Sequence, residues 1–361
     1  MNGTMTWVGL DVHARSTHGA AIHSLTGELE RARFGGGAEP VVQWLAGLPG
    51  PVKAAYEAGP TGFGLARAAA AAGIEIEVVA PGKTPRAASD RVKTDRKDAE
   101  LLARLLLAGQ LSPAFVPPGW LEGMRHLTRR REQVRGDIMQ ARHRISKLLL
   151  VHGRVWDQPT TWNQRHRGWL AGQTFEHEPT QLAFVDALAA LDGLLARREV
   201  LDERLGRLAL DERIWPTVAR LRCFRGIDTL TALTVHLELG GDWQRFRSAR
   251  QVGAWLGLTP SLNQSGESSA SGSITKTGSS LARRLLVESA WQYMRQPAIG
   301  VTLRNRQQDQ PDHILQIAWR AQHRLHRVHH HMRDRGKPHN VTTVAVAREL
   351  AGFLWAAATA P

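Results

Sequence analysis

The chain has 361 residues and a formal net charge of +14; it is too long for one ordinary core, so two or three domains are expected, and a basic balance of this size points to an anionic partner. Its single cysteine, Cys223, excludes an internal disulfide framework and fits a reducing cytoplasm. The longest apolar stretch, residues 66–80, is broken by Arg67, Glu75 and Glu77, no signal peptide is read, and a membrane is not an expected partner.

The N-terminal region, 1–112, alternates short apolar runs with helical ones. Strands are predicted at residues 7–12, 17–23, 28–34, 52–57 and 74–80, and helices at 39–48, 62–72 and 98–108. Three strands followed by alternating helix and strand is the order of an RNase H-like α/β fold, which carries catalytic acids on its first strand, its fourth strand and a later helix. Asp11 ends the first apolar run and Glu57 ends the fourth, just before a Gly-Pro-Thr-Gly turn. Acids at the ends of buried strands are costly unless paired, and a divalent metal is the usual partner of a carboxylate cluster. Asp95 and Asp98 precede the apolar pattern Leu101, Leu102, Leu105, Leu106. That spacing puts both carboxylates on one face of a starting helix, where anions also suit the dipole. Alone, the pair reads equally as the solvated acids of an ordinary helix start; with Asp11 and Glu57, the four read as one Mg²⁺ site.

A central region, 113–217, follows the Pro117-Pro118 stop. Met124, Leu127, Val134, Ile138, Ala141, Ile145 and Leu148 keep a three-four spacing that only Arg131 interrupts, and Leu188, Leu191, Leu195, Leu201, Leu205 and Leu208 repeat it within 180–213. Two such helices form either an antiparallel coiled-coil hairpin or a dimer seam. The first is also a polycation, with nine basic and three acidic residues between Trp120 and Arg154. Its connector to the second, 152–175, mixes Trp156, Trp162 and Trp169 with Arg154, Arg165 and Arg167; these either stack on unpaired bases or close a small packed tip.

The third region, 218–361, holds 19 basic and 9 acidic residues against 12 and 11 in 1–110, so the anionic partner is expected there. Around Arg225-Gly226-Ile227 a short helix, a turn and a second helix from Thr229 would offer backbone N–H groups to a phosphate, as a helix-hairpin-helix does. A Ser/Gly-rich stretch, 261–280, is either a disordered loop or the seat of a serine that attacks a phosphodiester. A mainly helical remainder follows, with Arg283 and Arg284 on a helix at 281–294 and two last helices parted at Arg335-Gly336-Lys337-Pro338. His323, His326 and His330 share a face at zinc-like spacing, or simply line a solvated or nucleic-acid-facing helix. Of the two tyrosines, only Tyr293 could act as a recombinase nucleophile, and Pro81-Gly82-Lys83-Thr84 lacks the first glycine of a P-loop.

Taken in order, Gly9-Leu10-Asp11-Val12-His13, Tyr56-Glu57-Ala58-Gly59-Pro60-Thr61-Gly62, Lys93-Thr94-Asp95-Arg96-Lys97-Asp98-Ala99, the Arg225-Gly226-Ile227 turn, Leu256-Gly257-Leu258-Thr259-Pro260, Ser265-Gly266, the run Gly272 to Gly278, and Arg335-Gly336-Lys337-Pro338 resemble the DEDD-type insertion-sequence transposases over nearly the whole chain. The resemblance implies a RuvC-like domain joined to a serine-bearing transposase domain. It makes Asp11, Glu57, Asp95 and Asp98 the Mg²⁺-binding tetrad and Ser265 the nucleophile of a phosphoserine link to DNA. It further implies donor and target DNA, a structured guide RNA, a dimer or tetramer, and a place in the bacterial cytoplasm on the nucleoid. Arg225, Gly226, Lys276, Arg283, Arg284 and Lys337 are the expected nucleic-acid contacts. The family usually has basic residues after its Ser-Gly, where Glu267, Ser268 and Ser269 stand here; this turns attention to Lys276, Arg283 or Arg284 for positive charge, and leaves Ser261, Ser273 and Ser279 as other nucleophiles. A RuvC-like junction-resolving nuclease without a covalent intermediate, or a catalytically dead nucleic-acid-binding protein, are the competing readings.

Overall fold

Five apolar runs of the N-terminal region pair into one mixed sheet: β1 (Thr6–Val12), β2 (Ser16–His23), β3 (Leu29–Gly35), β4 (Val52–Glu57) and β5 (Glu75–Val79), in the order β3-β2-β1-β4-β5. β1 and β3 run antiparallel to β2, whereas β4 lies parallel to both β1 and β5. The structure, a computed structural model, describes residues 5–85, 94–266 and 268–361, and of Lys83, Asn263, Ser265 and 268–270 it describes the backbone only. Val92, Lys93 and Glu267 lie outside the described residues. The chain divides into two units, Met1–Pro118 and Gly119–Pro361.

In the first unit the central strands are covered on both faces, which is why β1 and β4 read as nearly unbroken apolar runs. On one face α1 (Glu39–Gly47) and α2 (Gly64–Ala71) pack Val41, Leu45, Leu65 and Ala69 against Val8, Leu10, Ala54 and Tyr56. On the other, α3 (Asp95–Leu107) sets Leu102 and Leu106 against Ala55 and Val79, a burial that stabilises the unit by about 2 kcal/mol per leucine. α3 begins three residues before the position the apolar pattern suggests. Thr94 is its N-cap, accepting from the Lys97 amide at 3.3 Å, and that side-chain cap draws Asp95 into the first turn.

The second unit contains α4 (Gly119–Val151), α5 (Gln164–Ala171), α6 (Glu178–Leu208), α7 (Trp215–Leu221), α8 (Thr229–Glu238), α9 (Ala249–Trp255), β6 (Pro260–Ser265), β7 (Ser268–Ile274), α10 (Ser280–Ala290), α11 (Val301–Gln307), α12 (Asp312–Asp334) and α13 (His339–Thr359). α4 and α6 pack on each other through Val134, Ile138, Ile145 and Leu149 against Phe184, Leu191 and Leu201. Arg131 does not break this seam: its guanidinium donates twice to Asp202 of α6, at 2.7 and 3.0 Å, a bidentate pair that fixes register. The connector is a packed tip. His166 is buried there among Trp156, Trp162 and Trp169, with ring centroids 5.0–5.6 Å apart. Leu121, Leu205 and Ala209 share one core with α8, α10, α12 and α13, so the helix pair and the C-terminal helices belong to the same unit.

Two further features differ from what the sequence suggests. The Ser/Gly-rich stretch is a β-hairpin: β6 and β7 are antiparallel, with Leu262 opposite Ser271 and Ser265 opposite Ser268. It carries no apolar alternation, so no strand period is visible in it; its base is tied down by backbone bonds from Thr275 to Thr259 and from Lys276 to Gly257. In addition, α6 and α13 are long and apolar enough to cross a membrane by length and composition, with mean hydropathies of 1.2 and 1.3. α13 buries Val346, Leu350 and Leu354 in the unit's core, the usual origin of such a signal in a core helix.

Candidate active site

Because β1 and β4 are parallel neighbours, with Leu10 opposite Tyr56, Asp11 and Glu57 emerge side by side at the same end of the sheet. α3 delivers Asp95 and Asp98 to that end, and Gly9 makes the approach possible. A Cβ on Gly9 would lie 2.1 Å from the Ala99 carbonyl oxygen and 2.4 Å from the Ala103 amide, so only glycine lets the helix backbone sit this close to the strand. All four acids line one cleft of about 320 Å³, walled also by His13 and the Gly59-Pro60-Thr61 turn.

The cleft is electrostatically strained. Burial pushes the Asp11 carboxyl above the usual carboxylate range, the charges of Asp95 and Asp98 push it further, and only His13 opposes them. His13 Nε2 lies 3.2 Å from Asp11 Oδ2 and 3.8 Å from Asp95 Oδ1. His18, directly across the β1–β2 pair from Asp11, holds Nδ1 3.6 Å from Asp95 Oδ2. Donor atoms of Asp11, His13 and Asp95 all fall within 4.8 Å of one another, and this is the metal-competent cluster found among the described residues. Carboxylates converging with an imidazole in a partly desolvated cleft fit a divalent cation, which would offset both the desolvation and the neighbouring negative charge that raise Asp11. Sequence reasoning leaves His13 without a role and passes over His18. The usable signals are the closeness of His13 to Asp11 at the end of β1 and the cross-strand register of His18.

The residues expected to meet nucleic acid are all in the second unit, in three places. Ser265 ends β6, and Lys276 follows β7, exposed and with φ at +55°. Arg283 braces the base of the hairpin, donating to the carbonyls of Leu256 at 2.8 Å and Thr277 at 2.7 Å. Arg284 is held by Glu132 of α4 and Glu288, both at 2.5 Å. Arg225 and Gly226 stand at another turn: Arg225 donates to the Gln296 carbonyl at 2.7 Å, and Gly226 accepts from Ser289 Oγ at 2.9 Å. Lys337 lies exposed between α12 and α13, its carbonyl accepting from Arg333. Among the other serines, Ser261 donates to the Ser273 carbonyl at 3.2 Å, and Ser279 caps α10 by accepting from the Ala282 amide at 3.2 Å.

Tyr293 is fully buried, and burial raises its phenol well above the usual range, which disqualifies it as a nucleophile. His326 and His330 sit 3.2 and 3.1 Å from the Tyr293 and Met294 carbonyls, and His323 packs edge-on to Trp319, so these three histidines are engaged within the fold and form no metal-competent cluster among the described residues.

Family models match two parts of the chain: a DEDD-type transposase model of the IS110 group over residues 8–152, and the Transposase IS116/IS110/IS902 family over residues 218–301. The "Putative transposase y4qE" of Sinorhizobium fredii is 39% identical over 303 residues, 84% of this chain and 74% of the relative. The transposase for insertion sequence element IS1533 of Leptospira borgpetersenii is 29% identical over 341 residues, 92% of this chain and 97% of the relative. The transposase for insertion sequence element IS1328 of Yersinia enterocolitica is 29% identical over 296 residues, 80% and 84% of the two chains. With four acids gathered in one cleft inside the first matched region, and that degree of identity along most of a relative, the chain belongs to the IS116/IS110/IS902 family of insertion-sequence transposases.

Proposed function

We propose that this transposase cuts and rejoins DNA through a transient phosphoserine link, with Asp11, Glu57, Asp95 and Asp98 holding Mg²⁺ and Ser265 supplying the nucleophile. The observation that carries the reading is the convergence of the four acids, from two strand ends and one helix start, on a single cleft. The 3-2-1-4-5 strand order, with the first three strands antiparallel and the last two parallel additions, supports an RNase H-like, RuvC-like domain around it. A divalent ion bound there supplies neutralisation of the charge that builds on the phosphate and on the departing oxygen. The acids orient that charge, and the walls of the cleft limit water around it.

Ser265 Oγ gives up its proton as it bonds to phosphorus, and the deoxyribose oxygen leaves with a proton; attack by a free DNA hydroxyl on the phosphoserine then joins the new strand and restores the serine. Of Lys276, Arg283 and Arg284, the two arginines are engaged by carbonyls and glutamates, which favours Lys276 among the three to meet the phosphate. Ser279 is occupied as a helix cap, which supports Ser265 over it. The +10 excess of residues 218–361 supports DNA binding by the second unit, with phosphate contacts assigned to the α7–α8 turn. Guidance by a structured RNA, and assembly as a dimer or tetramer that joins an acid cleft to a serine hairpin, rest on the resemblance to better-understood members of the family.

Asp98→Asn tests the reading, because an amide holds Mg²⁺ poorly while keeping the shape. The variant should retain the circular-dichroism spectrum of the parent and lose strand exchange by roughly a thousandfold or more, the several kcal/mol of a missing metal clamp. Strand exchange at the parent rate would remove the acid cleft from the mechanism.

A further inference from the structure

The acid cleft contains one strong donor that the four-carboxylate description omits. We propose that His13 is a nitrogen ligand to the ion held by Asp11 and Asp95, so that the site is a mixed oxygen–nitrogen site that prefers Mn²⁺ to Mg²⁺. The inference rests on the metal reading of the cleft given above and names a further residue and an ion preference for that site.

Geometry is the first argument. Asp11 is the penultimate residue of β1 and His13 directly follows the strand, and the chain leaves the sheet with the His13 ring turned onto the Asp11 carboxylate. The Nε2 atom of His13 is 3.2 Å from Asp11 Oδ2 and 3.8 Å from Asp95 Oδ1, and the three donor atoms lie within 4.8 Å of one another. Ligands of one ion, each about 2.1–2.2 Å from it, are separated by about 3 Å when they sit at adjacent octahedral positions, so the Asp11–His13 separation needs almost no adjustment. His13 is also free to make that adjustment, since its side chain is 53% exposed.

The environment is the second argument. The His13 imidazole faces the carboxylates of both Asp11 and Asp95 inside the cleft they line, so it already meets the negative charge an ion would meet. His18 reaches Asp95 from the other side, 3.6 Å away at Oδ2; its partner is the carboxylate oxygen that His13 does not approach, and it therefore orients Asp95 instead of joining the ion. Chemistry supplies the ion preference. Mg²⁺ demands near-ideal oxygen coordination and dehydrates reluctantly, whereas Mn²⁺ accepts imidazole nitrogen alongside carboxylates.

The test uses the full-length protein and Mn²⁺ as a spectroscopic probe. Pulsed electron paramagnetic resonance of the Mn²⁺-loaded protein should show hyperfine coupling to a directly bound ¹⁴N in the parent and in His18→Ala, and none in His13→Ala. Calorimetric titration of the same proteins should show Mn²⁺ affinity falling about tenfold in His13→Ala, with Mg²⁺ affinity changed far less. His13→Gln, which keeps the length and polarity of the side chain, should lose the nitrogen signal in the same way, and circular dichroism identifies any variant that fails to fold. Tight Mn²⁺ binding without nitrogen coupling in the parent, or coupling that survives in His13→Ala, would overturn the assignment of His13 and leave the acid site intact. Absence of saturable binding of either ion by the parent would overturn both the assignment and the metal reading beneath it.

Discussion

The acid cleft and the serine hairpin are built by opposite means. The cleft rests on a sheet covered on both faces, and its acids are placed by backbone: two adjacent strand ends, a capped helix start and a glycine that lets strand and helix approach within contact. The hairpin has two short strands of small polar residues, with Leu262 72% exposed, and is fixed mainly at its base by Arg283 and the Gly257–Lys276 backbone bond. One region is preorganised, as charge stabilisation requires. The other is an exposed arm anchored at its base, which suits the nucleophile proposed for it.

Acid is the strongest way to separate the two units. His236, in the core of the second unit, accepts a hydrogen bond from Trp243 at 3.0 Å, and burial pushes its imidazole down to about 4. The unfolded chain takes up that proton near 6.5, so the contribution is complete above that value and disappears as the pH falls toward 4. The loss should reach about 3 kcal/mol, read as a fall in denaturation midpoint followed by tryptophan fluorescence. His236→Gln should flatten the dependence. Asp11 works in the reverse sense: folding makes it a weaker acid, so the folded first unit gains relative stability in acid and loses it as the pH rises through the folded value.

Gly9→Ala sharpens the claim that the cleft is set by backbone packing. The added methyl meets the α3 backbone at 2.1 Å and should cost about 2 kcal/mol as overpacking, measurable by chemical denaturation, with a larger fractional loss of strand exchange because Asp95 and Asp98 ride on the displaced helix. Unchanged activity with reduced stability would show that the placement of α3 is not limiting.

Much of this was legible in the sequence, for identifiable reasons. Asp11 and Glu57 stand out because each ends an apolar run, and the five strands of the first unit follow their periodicity to within two residues. The apolar pattern alone starts α3 at Asp98, because its cap, Thr94, carries no apolar signal; the Asp95/Asp98 spacing is what points to the true start. Arg131 looked like a defect because its partner, Asp202, is 71 residues away, a pairing that helix periodicity cannot reveal. The hairpin was invisible because its strands are held by backbone bonds and carry no hydrophobic face. His18 escaped because its relation to Asp95 depends on cross-strand register and on the seating of α3 at once.

A smaller effect tests where charge acts. Arg320 and Arg327 lie exposed on α12, one on each side of the exposed His323. Replacing both with glutamine should lower the slope of log affinity against log salt by about 2 for duplex DNA, with little change in stability. A slope that does not move would place the DNA on another face of the second unit.

Whether a serine of the hairpin becomes bonded to DNA separates phosphoserine chemistry from hydrolysis. The direct measurement is recovery of a denaturant-resistant protein–DNA adduct from cells carrying the whole element with its flanking non-coding sequence, followed by mapping of the modified residue. An adduct is expected on Ser265 in the parent, with none in Ser265→Ala and none in Asp98→Asn. An adduct that persists in Ser265→Ala and maps to Ser261, Ser273 or Ser279 would contradict the assignment of the nucleophile, and DNA cleavage with no adduct in any variant would return the cleft to water-driven, resolvase-like hydrolysis.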